Sequence, residues 1–337
     1  MERFVLEFQN GDLLENAGAK APMDISAILV DNGFHKVYIK TGGGSILKQL
    51  CSMSLSLTKL VFSAKRGSLL VFQYPIYSQK GLIAFQSARW ILKLRKVTVV
   101  CLVHDLLAAR FGTEMQVEVA ELEKNDFVIV HSAQMASLLA DSGCAAPTIV
   151  LGLFDYLVKS PNRLTRHLSY EVVFAGNLSK SVFLNQLTEV TNNSPIRFRL
   201  YGRHNRELNG VSGIEYGGLF SPDDVSTLDG SWGLVWDGDS IYDLTGEAGD
   251  YQKINSPHKA SLYLVAGLPL IVSAQAAIAP IVEANNIGFT VNSLQEITDI
   301  ITKMTENDYQ TILVNVKHFA SGLTSGQSIL SALDQLP

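Results

Sequence analysis

VTVVCLV, residues 97–103, carries no alternation and no charge, with Thr98 as its one hydroxyl, and stops at His104-Asp105. A strand that alternates has one face in water. One that does not alternate is buried on both faces, as in a parallel sheet covered by helices. The same sentence recurs along the chain. Leu69–Phe72 ends at Gln73, and Phe127–Val130 ends at His131-Ser132. Val172–Phe174 ends at Ala175-Gly176-Asn177, and Ile196–Leu200 ends at Tyr201-Gly202. Leu234–Trp236 ends at Asp237-Gly238-Asp239, and Leu270–Val272 ends at Ser273.

Between these runs lie helical patterns. Glu114–Lys124 and Ser132–Ala140 carry apolar residues three and four apart. Alternating strand and helix signals predict an α/β fold with parallel sheets. In such sheets ligands bind beyond the carboxyl ends of the strands, so the polar residues that close each run are the candidate site.

The 337 residues suit two domains, with 47% hydrophobic and 18% charged residues excluding a disordered chain. A net charge of −5 argues against a dedicated nucleic-acid binder. Cys51, Cys101 and Cys144 form no C-x-x-C pair, which fits a reducing compartment and gives no structural zinc site. The N-terminus, MERFVLEFQNGDLL, has no uninterrupted apolar core, so no signal peptide is read there. The uncharged stretch from Ala260 to Val282 breaks at Gly267, Pro269 and Pro280, which predicts helix, turn, strand and helix rather than a membrane span. Leu153–Tyr170 has no clear period and reads as a linker. The expected domains are 1–155, 156–310 and a helical segment over 311–337 that returns to the first half.

Asn255-Ser256-Pro257-His258-Lys259 is the most informative segment. Ser256 and Pro257 read as N-cap and first helical residue, so free amides and the positive helix end face outward. Lysine in a first turn opposes the helix dipole, and it makes sense where an anion such as phosphate sits; the plain alternative is a solvated surface lysine. Ala175-Gly176-Asn177-Leu178-Ser179-Lys180 offers a glycine for close backbone approach, Ser179 as a helix cap and Lys180 for a phosphate; an ordinary strand-to-helix turn reads the same way. There is no G-x-G-x-x-G and no G-x-x-x-x-G-K-[ST], so dinucleotide and P-loop readings lose their main support.

Gly42-Gly43-Gly44-Ser45 reads as a flexible loop at the rim of the site. Asp237-Gly238-Asp239 has the form of a metal–nucleotide site, and equally of an Asp/Gly turn. His104-Asp105 offers a general base, or a helix cap by Asp105. Phe85–Lys96 mixes Trp90 and Leu94 with Arg89, Lys93, Arg95 and Lys96. Such a helix lies on an anionic membrane surface or packs with a solvated basic face.

Several of these segments together resemble a known family. VFAGNLSKS (172–180), GLVWDGDS (233–240), GDYQKINSPHKASLYL (249–264) with GLPLIV after it, and AAIAPIVEANNIG (276–288) are similar to bacterial β-1,6-galactofuranosyltransferases of O-antigen and capsule assembly. More distantly, the whole chain resembles accessory glucosyltransferases that extend glycans on serine-rich adhesins. LVHD (102–105), the run 125–132 and FDYLV (154–158) match in kind, and AGAK (17–20) more weakly.

The resemblance implies a GT-B fold, two Rossmann-like domains with a cleft between them, an N-terminal half for a glycan acceptor and a C-terminal half for a UDP-sugar. It implies no metal and no cofactor besides the donor. It places Gly176, Asn177 and Lys180 by the diphosphate or sugar, Tyr201 and Gly202 beside the uracil, and Asp239 and Asp250 on sugar hydroxyls. Lys253, Ser256, Pro257, His258 and Lys259 go to the nucleotide or sugar. UDP-galactofuranose is α-linked, so a β product implies a single inverting displacement, with Asp105 as base and His104 second. A cytoplasmic enzyme follows, with peripheral contact at the inner face of the membrane, a lipid-linked acceptor and self-association left open. Three rivals stay open: a UDP-glucose glucosyltransferase, an epimerase or NAD-dependent oxidoreductase, and a non-catalytic UDP-sugar-binding subunit. The turn at Asn10-Gly11-Asp12 after the first strand does not supply the glycines the second of these needs.

Overall fold

A computed structural model describes residues 2–9, 17–40, 46–159, 165–204 and 211–337. The chain divides into two compact units. The first comprises Met1–His131, Met135–Leu151 and Ile329–Pro337; the second comprises Ser132–Gln134 and Gly152–Ser328.

The first unit begins β1 (Arg3–Gln9), α1 (Ala17–Asp31), β2 (His35–Lys40), α2 (Ile46–Ser63), β3 (Leu69–Tyr74) and α3 (Gln79–Leu94). It continues β4 (Thr98–Val103), α4 (Leu107–Phe111), α5 (Met115–Leu122), β5 (Phe127–Val130), α6 (Ala133–Asp141) and β6 (Thr148–Val150). The sheet order is β2-β1-β3-β4-β5-β6, all parallel. The unbroken apolar run of β4 is central, and Val99 to Val103 are fully buried. Each such side chain contributes about 1.5–3 kcal/mol of burial. Phe72 of β3 and Phe85 of α3 meet at 4.6 Å between ring centres, which seats α3 on the sheet.

The second unit contains β7 (Glu171–Ala175), α7 (Leu187–Thr191), β8 (Arg197–Tyr201), β9 (Ile214–Gly218), β10 (Trp232–Val235), α8 (Gly246–Gln252) and α9 (His258–Val265). It ends with β11 (Leu270–Ser273), α10 (Ala279–Asn285), β12 (Gly288–Val291), α11 (Ile297–Lys303) and α12 (Glu306–Ser325); α13 (Gln327–Leu333) spans the boundary. Its sheet order is β12-β11-β10-β7-β8-β9, again parallel. Successive strands run outward from β7 in one direction and from β10 in the other. The neighbouring pair β7–β10 is therefore the topological switch point, where the crevice of an open α/β sheet lies.

The C-terminal segment 311–337, expected to return to the first half, is divided between the two units. Tyr309, Ile312, Val316 and Leu323 of α12 join the core of the second unit, where the Tyr309 hydroxyl donates to Ser231 O at 2.8 Å. The chain re-enters the first unit only at Ile329. The expected linker is also packed, because Leu153, Phe154, Asp155 and Tyr156 are buried. The Asp155 carboxylate accepts from Ser328 N at 2.9 Å, in the first turn of α13.

One guanidinium closes the amino-end side of the second sheet. Arg166 is buried and donates to Leu228 O and Ala266 O, both at 2.8 Å, and to Gly230 O. No described helix is long and apolar enough to cross a membrane. Asn10-Gly11-Asp12 and Gly42-Gly43-Gly44-Ser45 lie outside the described residues.

Candidate active site

The site is built at the switch point of the second unit. Helix α9 lies across β7 and β10, and two of its residues four apart on one face do the joining. The Tyr263 hydroxyl accepts from Ala175 N at 2.7 Å, fixing the end of β7. The close passage of its ring requires glycine at Gly233 in β10, where an added Cβ would lie 2.4 Å from the ring. One turn earlier, Lys259 Nζ sits 2.6 Å from Asp237 Oδ1 and 4.6 Å above the Phe174 ring. A lysine in a first turn thus sits at the ends of the two strands that flank the crevice.

The helix start differs by one residue from the expected one. Pro257 is the N-cap, with φ −64° and ψ 131°, and His258 is the first helical residue. Proline donates no amide, and its side chain gives the first turn no cap. Ser256 is buried behind it. Asn255 Oδ1 is buried with no hydrogen-bond donor among the described residues, an acceptor of the kind that a bound group satisfies.

Around Lys259 the strand ends are held by short contacts. Gln252 is almost wholly buried. Its Oε1 accepts from Asp237 N at 2.7 Å and its Nε2 donates to Val235 O at 3.0 Å, so it clips the end of β10. Gly176 N donates to Tyr201 O and Gly202 N to Gly218 O, both at 2.9 Å. Gly202 has φ +133°, and a Cβ there would stand 1.8 Å from Gly176 O. The two glycines therefore let the loops after β7 and β8 lie back to back. Leu178 N donates to Arg203 O at 3.0 Å, which brings Lys180 and Arg203 to neighbouring loops, both exposed. Ser179 caps no helix; its amide donates to Asn177 Oδ1 at 3.1 Å in a local turn.

Several of the expected residues turn elsewhere. The Tyr201 ring is buried against Gly217 and its hydroxyl accepts from Asp229 N at 3.1 Å, so Tyr201 offers the strand end its backbone and not its ring. The His258 ring stacks on Tyr156 at 4.7 Å. Asp250 of α8 and Lys253, its C-cap, pair with each other at 2.7 Å. The Asp239 carboxylate lies against Gly246, the first residue of α8. Among the described residues no three of His, Cys, Asp and Glu gather as a metal would require, and Asp237 is engaged by Lys259.

In the first unit, His104 and Asp105 follow β4. His104 Nε2 is 2.7 Å from Gln73 Oε1, and Gln73 Nε2 donates to Ser26 Oγ at 2.9 Å and Pro22 O at 3.1 Å. That orientation of the amide makes His104 Nε2 the donor. Asp105 Oδ1 accepts from Arg110 Nη1 at 2.6 Å. Asp105 does not cap α4. The buried Glu118 does so, accepting from Leu107 N and Ala108 N at 2.7 Å each. Burial first, and then this carboxylate, hold the Tyr74 phenol well above its usual range.

His131, closing β5, is buried and bonds Val103 O at 2.9 Å. Burial lowers its pKa from 6.5 to about 4. Between those values the unfolded chain binds the proton and the folded unit does not. Stability is therefore complete above pH 6.5 and falls as pH drops toward 4, by up to about 1.4 kcal/mol per pH unit from this group. Denaturant unfolding across that window is expected to show a flatter pH slope for His131→Gln than for the parent; equal slopes would refute the assignment.

Three comparisons bear on this arrangement. The chain matches the family model for the glucosyltransferase 3-like N-terminal domain over residues 4–153 and that for the C-terminal domain over residues 172–336. It is 29% identical over 324 residues to the beta-1,6-galactofuranosyltransferase WbbI of Escherichia coli (strain K12), covering 95% of this chain and 94% of that one. It is 26% identical over 282 residues to glucosyltransferase 3 of Streptococcus parasanguinis, covering 81% and 80%. The solved glycosyltransferase from Rickettsia africae ESF-5 shares its fold, with a TM-score of 0.60 at 10% identity over 98% of this chain and 96% of that one. The two Rossmann-like units are those of the GT-B glycosyltransferases.

Proposed function

This chain belongs to the glucosyltransferase 3-like family, and from that premise we propose that it is an inverting, metal-independent glycosyltransferase. On this reading it moves galactofuranose from UDP-galactofuranose, in β-1,6 linkage, onto a glycan acceptor in cell-surface polysaccharide synthesis. The observation that carries the reading is Lys259. It stands in the first turn of a helix with no side-chain cap, at the switch point between β7 and β10. An ammonium has three N–H donors and Asp237 engages one, so the others and the first-turn amides suit the diphosphate.

The chemistry asked of these residues is limited. The diphosphate leaves with its negative charge growing, and fixed donors already aimed at it lower that barrier without reorganising. Lys180 and Arg203 add positive charge on the neighbouring loops. Asn255 Oδ1 accepts a hydroxyl of the donor. Asp105 takes the proton of the acceptor hydroxyl as that oxygen attacks the anomeric carbon from the face opposite UDP. The galactofuranosyl donor rests on the Escherichia coli relative, which spans nearly the whole chain. The streptococcal relatives and the family description favour the second reading, glucose from UDP-glucose.

Calorimetric titration tests the donor site. UDP is expected to bind without added metal, and NAD is not. Lys259→Ala is expected to weaken UDP about 10- to 150-fold, the equivalent of about 1.5–3 kcal/mol for a charge-assisted contact to phosphate. Unchanged affinity in the folded variant would remove the diphosphate from this helix. UDP binding that required Mg²⁺ would return Asp237 and Asp239 to a metal role. Turnover with UDP-galactofuranose against UDP-glucose then separates the two sugars, and UDP binding without turnover of either would mark a non-catalytic subunit.

A further inference from the structure

Residues 32–104 contain eleven Lys and Arg and no Asp or Glu. The remaining sixteen basic and thirty-two acidic residues leave the rest of the chain at net −16. The basic stretch includes α2 and α3, which pack side by side in the first unit, and the Arg95 guanidinium at the end of α3 donates to Val61 O of α2.

Both helices are apolar on their outer faces as well as their inner ones. Gly81, Phe85, Ala88 and Leu92 of α3 face the sheet. Ile83, Trp90 and Leu94, spaced seven and four apart and so on one stripe, face away and are 64%, 66% and 64% exposed. On α2, Met53, Leu57 and Leu60 are buried, while Leu55 and Phe62, seven apart, are 56% and 75% exposed. An outer helix face is ordinarily polar. Here its crest is aliphatic and aromatic, with exposed Lys59, Lys80, Arg66 and Lys96 around it. Lys65 and Lys93 have acidic neighbours, Glu2 at 3.5 Å and Asp126 at 3.0 Å.

We propose that the outer face of α2 and α3 docks on an anionic lipid bilayer, with Leu55, Phe62, Ile83, Trp90 and Leu94 entering the interface and the surrounding basic residues meeting acidic headgroups. Two parallel helices present a broad surface, and interfacial helices lie in the bilayer plane with their apolar side down. The charge selects the partner. A symmetric contact with a second copy would set two net-basic faces against each other, and nucleic acid gives an aliphatic crest nothing to pair with. If the chain is the glycosyltransferase proposed above, this face brings it to a lipid-borne acceptor; the docking itself does not depend on that reading.

Vesicle co-sedimentation tests it with the full chain. Vesicles of equal parts phosphatidylcholine and phosphatidylglycerol are expected to bind it at least about tenfold more tightly than phosphatidylcholine alone, and about 0.5 M salt should erase the difference. Lys59→Gln with Lys80→Gln should weaken binding about 25-fold, at roughly fivefold per charge. Phe62→Ser with Trp90→Ser should abolish binding, and both variants should keep the parent's UDP affinity. Equal binding to both vesicle types, or no binding to either, overturns the proposal. Light scattering that shows a dimer lost on Phe62→Ser with Trp90→Ser, without vesicle binding, would assign the face to a second copy instead.

Discussion

Asp105→Asn is expected to lower kcat by about 10²- to 10⁴-fold, the range for loss of a general base, while UDP affinity stays within about twofold of the parent. The amide keeps the size of the carboxylate but cannot take a proton. Stability should change little, because the lost ion pair is with Arg110, whose side chain is 44% exposed. His104→Gln is the companion variant. Its ring already donates through Nε2 to Gln73, which fixes its tautomer and suits a positioning role. Should His104→Gln abolish turnover while Asp105→Asn retains it, the base is His104 and the order proposed here is wrong. Single-turnover kinetics with saturating donor separates this chemical step from binding.

Gly202→Ala is expected to destabilise the second unit by at least about 4 kcal/mol, because two penalties combine. The backbone at φ +133° disfavours any side chain, and the new Cβ would overlap the carbonyl oxygen of Gly176, a backbone atom that cannot swing aside. Gly176→Ala is the control. It also has a positive φ, +157°, but a Cβ there meets nothing within 4 Å. It should cost about 1–3 kcal/mol from conformation alone. Thermal unfolding of both decides the matter: equal losses would mean that the close approach of the two loops is not what demands glycine at Gly202.

The central strands were legible because burial on both faces leaves a mark that needs no partner. β3, β4, β5, β7, β8, β10 and β11 all follow apolar runs. β6, β9 and β12 were not read. β6 has three residues, and β9, IEYGG, is an edge strand with only partial burial. β12, GFTV, is also at an edge. The site was half legible. Lys259 could be singled out because a lysine in a first turn opposes the helix dipole, a local contradiction visible without a structure.

Glu118 could not be found that way. The apolar spacing of Glu114–Lys124 turns Val119 and Leu122 inward, and both are buried, but Glu118 and Glu121 are buried beside them. Their partners explain this: the amides of Leu107 and Ala108 for Glu118, and Arg89, at 2.7 Å, for Glu121. Periodicity weighs each residue alone, and a buried carboxylate is a property of a pair. Gln252 and Arg203 escaped for the same reason: one is defined by Asp237 and Val235, the other by the loop it lies beside.

Arg166 has a consequence for how such a unit can change. One cation gathers three carbonyls from two loops, those leading into β10 and β11, at the pole of the sheet away from the strands' carboxyl ends. The anchorage this side chain supplies is thereby held at one pole, and the candidate site lies at the other. Exposed positions in the loops beyond β7 and β8, such as Ser179, Lys180 and Arg203, can be exchanged without touching that anchorage. On the function proposed above, a change of donor sugar then takes only small edits at exposed positions of the working pole, while the opposite pole stays as it is.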